Sequence, residues 1–537
     1  MKKAFILVIF LLVVGLGLSY YFNFWERSLE KTDPTEGPKP SVLKMDLSKL
    51  KALANSGQAE AQFRLGEIYL EGRLTPEDPV EAHKWLSLAA VKGLSQAQTY
   101  LGQLYFSGQG VTKDLAEAAK WFRLAADQGD PKGCFHLGLA YYYGEGLPEN
   151  KTEGLKWLRQ AASQGLARAQ VYMGEIYASG ETVPEDQAEA VKWFRLAAQQ
   201  GDPEGQLNLG LAYDLGLGVP LDAVEAANWY LLAAEAGQPI AQTFYGNMLM
   251  EGQGVPLDKA KAVQWYRQAA AQNYPDAQYN LGLAFATGQG VPESQTEALN
   301  WFLAAAERGN VPAQRLVAEA FRLGQGVKVN LEEALRWYRL AAARGDPDSL
   351  FNLGLAYDLG QGVAQDKTEA VKWYKMAAEL GDPDAQLGLG RLLVAGEGTP
   401  KDKTEAIKWF SKAAERGNLP ALLIVAEAYD LGDGVSQNKM EAFAWYRLAA
   451  ERGDPKAQYH LGLAYERGTG PAIDTIEAAK WYRKAAEQDY AEAQYALGLL
   501  YELGLGLERD RAEALHWLRA ATKNGLIAAK NKLAELD

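Results

Sequence analysis

Thirteen of the fourteen tryptophans in this 537-residue chain stand 36 residues apart, from Trp85, Trp121 and Trp157 through to Trp481 and Trp517, without a single insertion. A period of this length marks a repeat architecture, in which each unit buries its apolar face only against its neighbours. Taking the repeats as residues 58–525 leaves little room for anything else.

The second unit shows what each repeat folds into. Ala97, Leu101, Leu104 and Tyr105 follow helical spacing. Gly108 predicts a left-handed end to that first helix. After a short loop, Asp114 with Glu117 three residues on predicts the start of a second helix through a reciprocal capping box. Ala118, Trp121, Phe122, Ala125 and Ala126 then form its apolar side, and Gly129 ends it. Asp130–Pro131 opens the next unit, with proline where its missing N–H costs nothing. The cap is Asp, Asn or Ser in every unit, and its partner is Glu in all but one, where Lys261 stands. Small residues such as Gly102 and Ala125–Ala126 let helices approach closely, and Trp is expected to fill the space beside them.

The run Ala97, Leu101, Gly102, Tyr105, Gly108, Gly110, Val111, then Asp114, Glu117, Ala118, Trp121, Ala125, Ala126, Gly129 resembles the Sel-1-like repeat, a relative of the tetratricopeptide repeat. The resemblance implies an all-α, right-handed superhelical solenoid of thirteen helix-turn-helix repeats. It also implies a non-enzymatic adaptor in envelope assembly, secretion, signalling or membrane-bound quality control. Cys134 is the sole cysteine, so the disulfides that brace some members are excluded. Leu74 and Thr182 replace the usual loop glycine in units one and four, so those two loops are expected to depart from the common geometry.

Residues 1–25 read differently. Lys2 and Lys3 precede an uncharged, mainly apolar run from Ala4 to Trp25. That is long enough to span a bilayer, and too long for the apolar region of an ordinary cleaved signal. An uncleaved signal anchor is expected, with a single transmembrane helix and the rest of the chain outside the cytoplasmic membrane. Residues 26–42 read as a flexible linker, 43–57 as an N-terminal capping helix and 526–537 as a C-terminal one, so the solenoid is expected to be closed at both ends.

Chemistry is hard to find in the repeats. The net charge of −13 argues against nucleic acid. The Gly-x-Gly loops lack P-loop spacing and are explained as helix ends. His83, His136, His460 and His516 lie in different units without metal spacing, and Asn150 of the Asn150–Lys151–Thr152 sequon doubles as a helix cap. No catalytic residue, cofactor or metal is expected. Function then falls to first-helix positions that vary between units, on the side expected to be concave. Tyr100, His136, Tyr172, Asn208 and Asn352 hold one such position; Phe106, Tyr142, Asp214, Asp358, Asp430, Glu466 and Glu502 hold the position six residues on. The aromatics suit protein or peptide partners and the carboxylates a basic segment, with glycan as an alternative ligand of the tyrosine-rich units. A cell-wall or β-lactam-directed hydrolase is the least favoured alternative.

Overall fold

The computed structural model describes residues 47–536. Among these are 28 helices and no strand. The expected signal anchor and linker lie outside the described residues; among the described ones no helix is long and apolar enough to cross a membrane. The chain divides into two compact units at Glu293/Ser294. The first holds a short helix, Leu47–Asn55, followed by alternating first and second helices ending with Pro275–Thr287. The second runs from Gln295–Glu307 to the terminal helix Ile527–Leu536.

Most helices span 13 residues, as in Ser95–Ser107 and Leu115–Asp127, and their ends follow from the sequence. Gly108 adopts φ +79° and its N–H bonds Leu104 O. The Asp114 side chain accepts from the Glu117 N–H, and Asp130 does the same for Gly133. The capping box is nevertheless one-sided. The Asp114 N–H already donates to Tyr105 O across the loop, so Glu117 turns outward and accepts from Lys120 Nζ at 2.8 Å. Lys261 therefore changes nothing: its own N–H still bonds Asp258.

Packing corrects the expected role of tryptophan. A Cβ on Gly102 would stand 2.6 Å from the Phe122 ring, and at Gly210 it would meet Tyr230 at 2.7 Å. The residue after each Trp, not the Trp, occupies the space the glycine leaves. Phe122 and Tyr230 are fully buried, whereas Trp121 and Trp229 remain part-exposed. The indole instead seals the seam between repeats, packing among partly buried residues at the edge of the core.

Neighbouring repeats are joined by two devices. At Gly110, with φ +68°, an added Cβ would lie 2.0 Å from the carbonyl oxygen of Pro79, the first residue of the preceding second helix. The loop thus rests directly on the previous repeat's backbone. Leu74 and Thr182, at the same place in units one and four, do not take positive φ; the Thr182 hydroxyl instead bonds that of Tyr142. The second device is a buried glutamine that reaches back eight residues. Gln98 donates to Ala90 O at 3.1 Å and Gln386 to Ala378 O at 3.0 Å. Each adds a side-chain donor to a carbonyl at the end of the preceding second helix, beside the backbone N–H that it already accepts, that of Gly93 at Ala90 and of Gly381 at Ala378.

Candidate functional site: the first-helix face

The twelve candidate residues all fall on first helices, but three of them present little surface. Phe106, Tyr142 and Asn208 are 9%, 3% and 5% exposed. The expectation that variation marks a binding surface does not fit these three. Phe106 lies beneath Lys113, whose ammonium sits 5.6 Å from the ring centre, and Lys151 covers Tyr142 in the same way at 5.3 Å.

Tyr100, His136 and Tyr172 are part-exposed and share a geometry set by the repeat. Each belongs to a first helix and leans on the preceding unit. The His136 ring stacks on Phe122 at 4.9 Å, and its Nε2 lies 2.8 Å from the Gln103 amide nitrogen. Tyr100 meets Phe63 edge-on at 5.5 Å and hydrogen-bonds Glu67. Burial, with Glu71 nearby, pushes the Glu67 carboxyl up to about 7. Tyr172 shares a hydroxyl hydrogen bond with Tyr143. In the second compact unit, Asn352 donates to the Asp348 carbonyl of its own helix at 2.8 Å.

The carboxylates have internal duties that the sequence reading did not anticipate. Tyr230 donates to Asp214 at 3.3 Å, Tyr374 to Asp358 at 3.3 Å and Tyr482 to Glu466 at 2.6 Å, each pair 16 residues apart within one repeat. Arg322 takes the same place opposite Tyr338, at 3.2 Å. Asp430 lies beside Tyr446 and binds Lys439 at 2.8 Å. Where the second helix carries phenylalanine, the first-helix partner is uncharged: Phe106 with Phe122, Ala178 with Phe194, Ala286 with Phe302, Val394 with Phe410. Tyr266, opposite Met250, bonds Asn247 instead. Glu502 faces Leu518 in sequence and pairs with Lys532 of the terminal helix at 3.3 Å. A buried phenol needs a partner for its O–H, so much of the acidic pattern records that need. The signal was present in the sequence, as covariation between two positions of one repeat, and reading each position alone missed it.

Among the described residues no three His, Cys, Asp or Glu side chains are placed to hold a metal ion. A shallow hollow of about 420 Å³ near the C-terminus is lined by Arg483, Tyr501, Asp510, Glu513 and Trp517. Four of its lining side chains are already engaged with one another: Arg483 with Tyr501, and Trp517 with Glu513 at 3.1 Å. Burial pushes the Cys134 thiol up to about 11, so it stays protonated at neutral pH and is a poor nucleophile.

Repeated helix pairs with one capping and packing pattern and varied first-helix side chains define an α-solenoid of the protein-interaction class. The Sel1 repeat pattern matches thirteen times in register, from residues 59–94 to 491–526. The chain belongs to the Sel1 repeat family. It is similar to c5321, a protective antigen present in uropathogenic Escherichia coli strains and displaying an SLR fold. Identity is 34%, over 85% of this chain and 97% of that one, with a TM-score of 0.63. A Sel1 repeat protein from Oxalobacter formigenes is 39% identical over 56% of this chain and 87% of its own, with a TM-score of 0.45. Comparison with curated proteins finds no match.

Proposed function

We propose that the chain is a non-enzymatic, membrane-tethered scaffold that binds protein or peptide segments on its first-helix face, outside the cytoplasm, in envelope assembly, secretion or signalling. One observation carries the reading. The interior of every repeat is held to one pattern, while Tyr100, His136, Tyr172 and Asn352, part-exposed at a single helix position, differ from unit to unit. A stack that keeps its frame and changes its surface is suited to an extended partner. The uncharged run Ala4–Trp25 supports the tether.

A photo-crosslinking residue placed at Asn352, and separately at the exposed second-helix residue Leu340, tests the face. Partner crosslinks are expected from position 352 alone. Equal yields from both, or none from either, would overturn the assignment. A reporter fused after Asp537 tests the tether: activity confined to the cytoplasmic side would remove the export reading. Glycan remains a second ligand class, favoured by the part-exposed rings of Tyr100 and Tyr172. Retention of polysaccharide in place of protein would select it.

A further inference from the structure

The last repeat departs from the common pattern on its second helix, beside the shallow hollow that contains Trp517. The first repeat shows the pattern complete. Trp85 Nε1 donates to the Glu81 carboxylate at 3.1 Å. Lys84 Nζ reaches the same carboxylate at 3.0 Å and lies 5.4 Å from the indole centre. Carboxylate, indole and ammonium thus form one group on a single helix, and Glu117 and Glu477 take the ammoniums of Lys120 and Lys480 at the same spacing. In the last repeat Trp517 donates to Glu513, again at 3.1 Å. His516 stands at the lysine position, its ring nearly perpendicular to the indole at 5.0 Å. The carboxylate is held in the same way, without a lysine to meet it.

The hollow, of about 420 Å³, gathers further carboxylates around Glu513 and Trp517. Asp510 caps its own helix through the N–H groups of Ala512 and Glu513. Glu487 and Glu508 are exposed on the lining. Arg483, the one basic residue of the lining, is bonded to Tyr501, and Arg509 turns to the Glu502 carbonyl. Glu487, Glu508 and Glu513 therefore share one depression without an ion pair among the described residues. A carboxylate oriented by an indole N–H, with two more carboxylates at the rim, attracts an organic cation. Elsewhere in this chain the cation on such an indole is an ammonium: those of Lys412 and Lys484 lie 4.0 and 3.9 Å from the Trp409 and Trp481 ring centres. We propose that the hollow is a docking point for a lysine side chain of a partner protein, which supplies the ammonium that Lys84 supplies from within the first repeat. The site goes beyond the first-helix reading: it is built chiefly from two second helices and the loop before the last of them, and it stands or falls independently of crosslinks at position 352.

Fluorescence anisotropy of a labelled, blocked Gly-Lys-Gly-Lys-Gly peptide, titrated with the full-length chain, tests the site. Saturable binding is expected, weakened about tenfold or more when the lysines are Nε-acetylated and lose their charge. His516→Lys, at an exposed position, rebuilds the arrangement of the first repeat and should weaken binding to a similar extent, whereas His516→Gln should leave it unchanged, both with unaltered helical circular dichroism. Carbodiimide coupling of the bound peptide, mapped by mass spectrometry, should place the new amide on Glu487, Glu508 or Glu513. Equal binding of the acetylated peptide, full affinity in His516→Lys, an equal loss in His516→Gln, or no saturation up to about 1 mM chain would each overturn the proposal. Coupling confined to first-helix carboxylates would remove this site and leave the scaffold reading intact.

Discussion

Asp214 and Tyr230 show how a single repeat position can be misread when taken alone. Tyr230 is fully buried, and its hydroxyl bonds Asp214. Asp214→Ala leaves that hydroxyl without its partner, at a cost of roughly 1–3 kcal/mol in unfolding free energy. Adding Tyr230→Phe recreates the Ala178–Phe194 combination already used in unit four and should recover most of the loss. A double-mutant cycle in urea measures the coupling, and additive losses would contradict the pairing. Glu67 gives a pH-dependent counterpart. Its folded pKa, about 7, lies above the ordinary 4.5, chiefly through burial. The folded state thus holds the proton more tightly, and stability falls as pH rises from about 4.5 to 7. Glu67→Gln should stabilise the N-terminal repeats at pH 8 and flatten their pH dependence, as read by hydrogen exchange of residues 47–94. An unchanged slope would exclude Glu67 as its source.

Helices and loops were the most legible level, because each end needs a specific residue for a local reason. Gly108 and Asp114 were readable as a helix end and a cap from their own chemistry. The Gly110 loop was recognisable by pattern, but not the contact that requires it, since the Pro79 carbonyl belongs to another repeat. The backward reach of Gln98 was illegible for the same reason. Two exceptions follow the local rule: at the end of the second helix, where most units place glycine, Asn273 and Asp489 take φ of +64° and +61°, a conformation Asn and Asp tolerate best. Gly110→Ala forces a Cβ against backbone rather than a yielding side chain, and combines that clash with unfavourable φ. It should destabilise more than Gly102→Ala, whose Cβ meets the Phe122 ring. Thermal unfolding ranks the pair, and the reverse order would show that the loop can shift.

At the scale of the molecule, stability built from neighbouring interfaces tolerates the loss of distant ones. Removal of residues 527–537 deletes the Lys532–Glu502 pair and the bond from Arg511 to Leu536 O. The expected result is fraying of residues 491–526, seen by hydrogen exchange, with residues 294–454 protected as before. A fragment ending at Gly345 should likewise keep its helical circular dichroism. Cooperative collapse in either experiment would contradict nearest-neighbour stabilisation. The class of fold could be read in full from the tryptophan spacing. The proposed binding face was only partly readable, because a variable position served interior chemistry in some repeats and lay part-exposed in others.

The tyrosine–carboxylate bond joins two residues of the same repeat, and this bears on how such a gene can change. A copying error that duplicates or deletes one whole unit carries both halves of the pair together, so no phenol is orphaned. Rings stacked across a seam, such as His460 on Tyr446, enjoy no such protection and are reshuffled with every gain or loss. Lengthening or shortening the array therefore leaves each unit's polar interior intact while redrawing the exposed face, so that heritable change falls first on what the protein can hold.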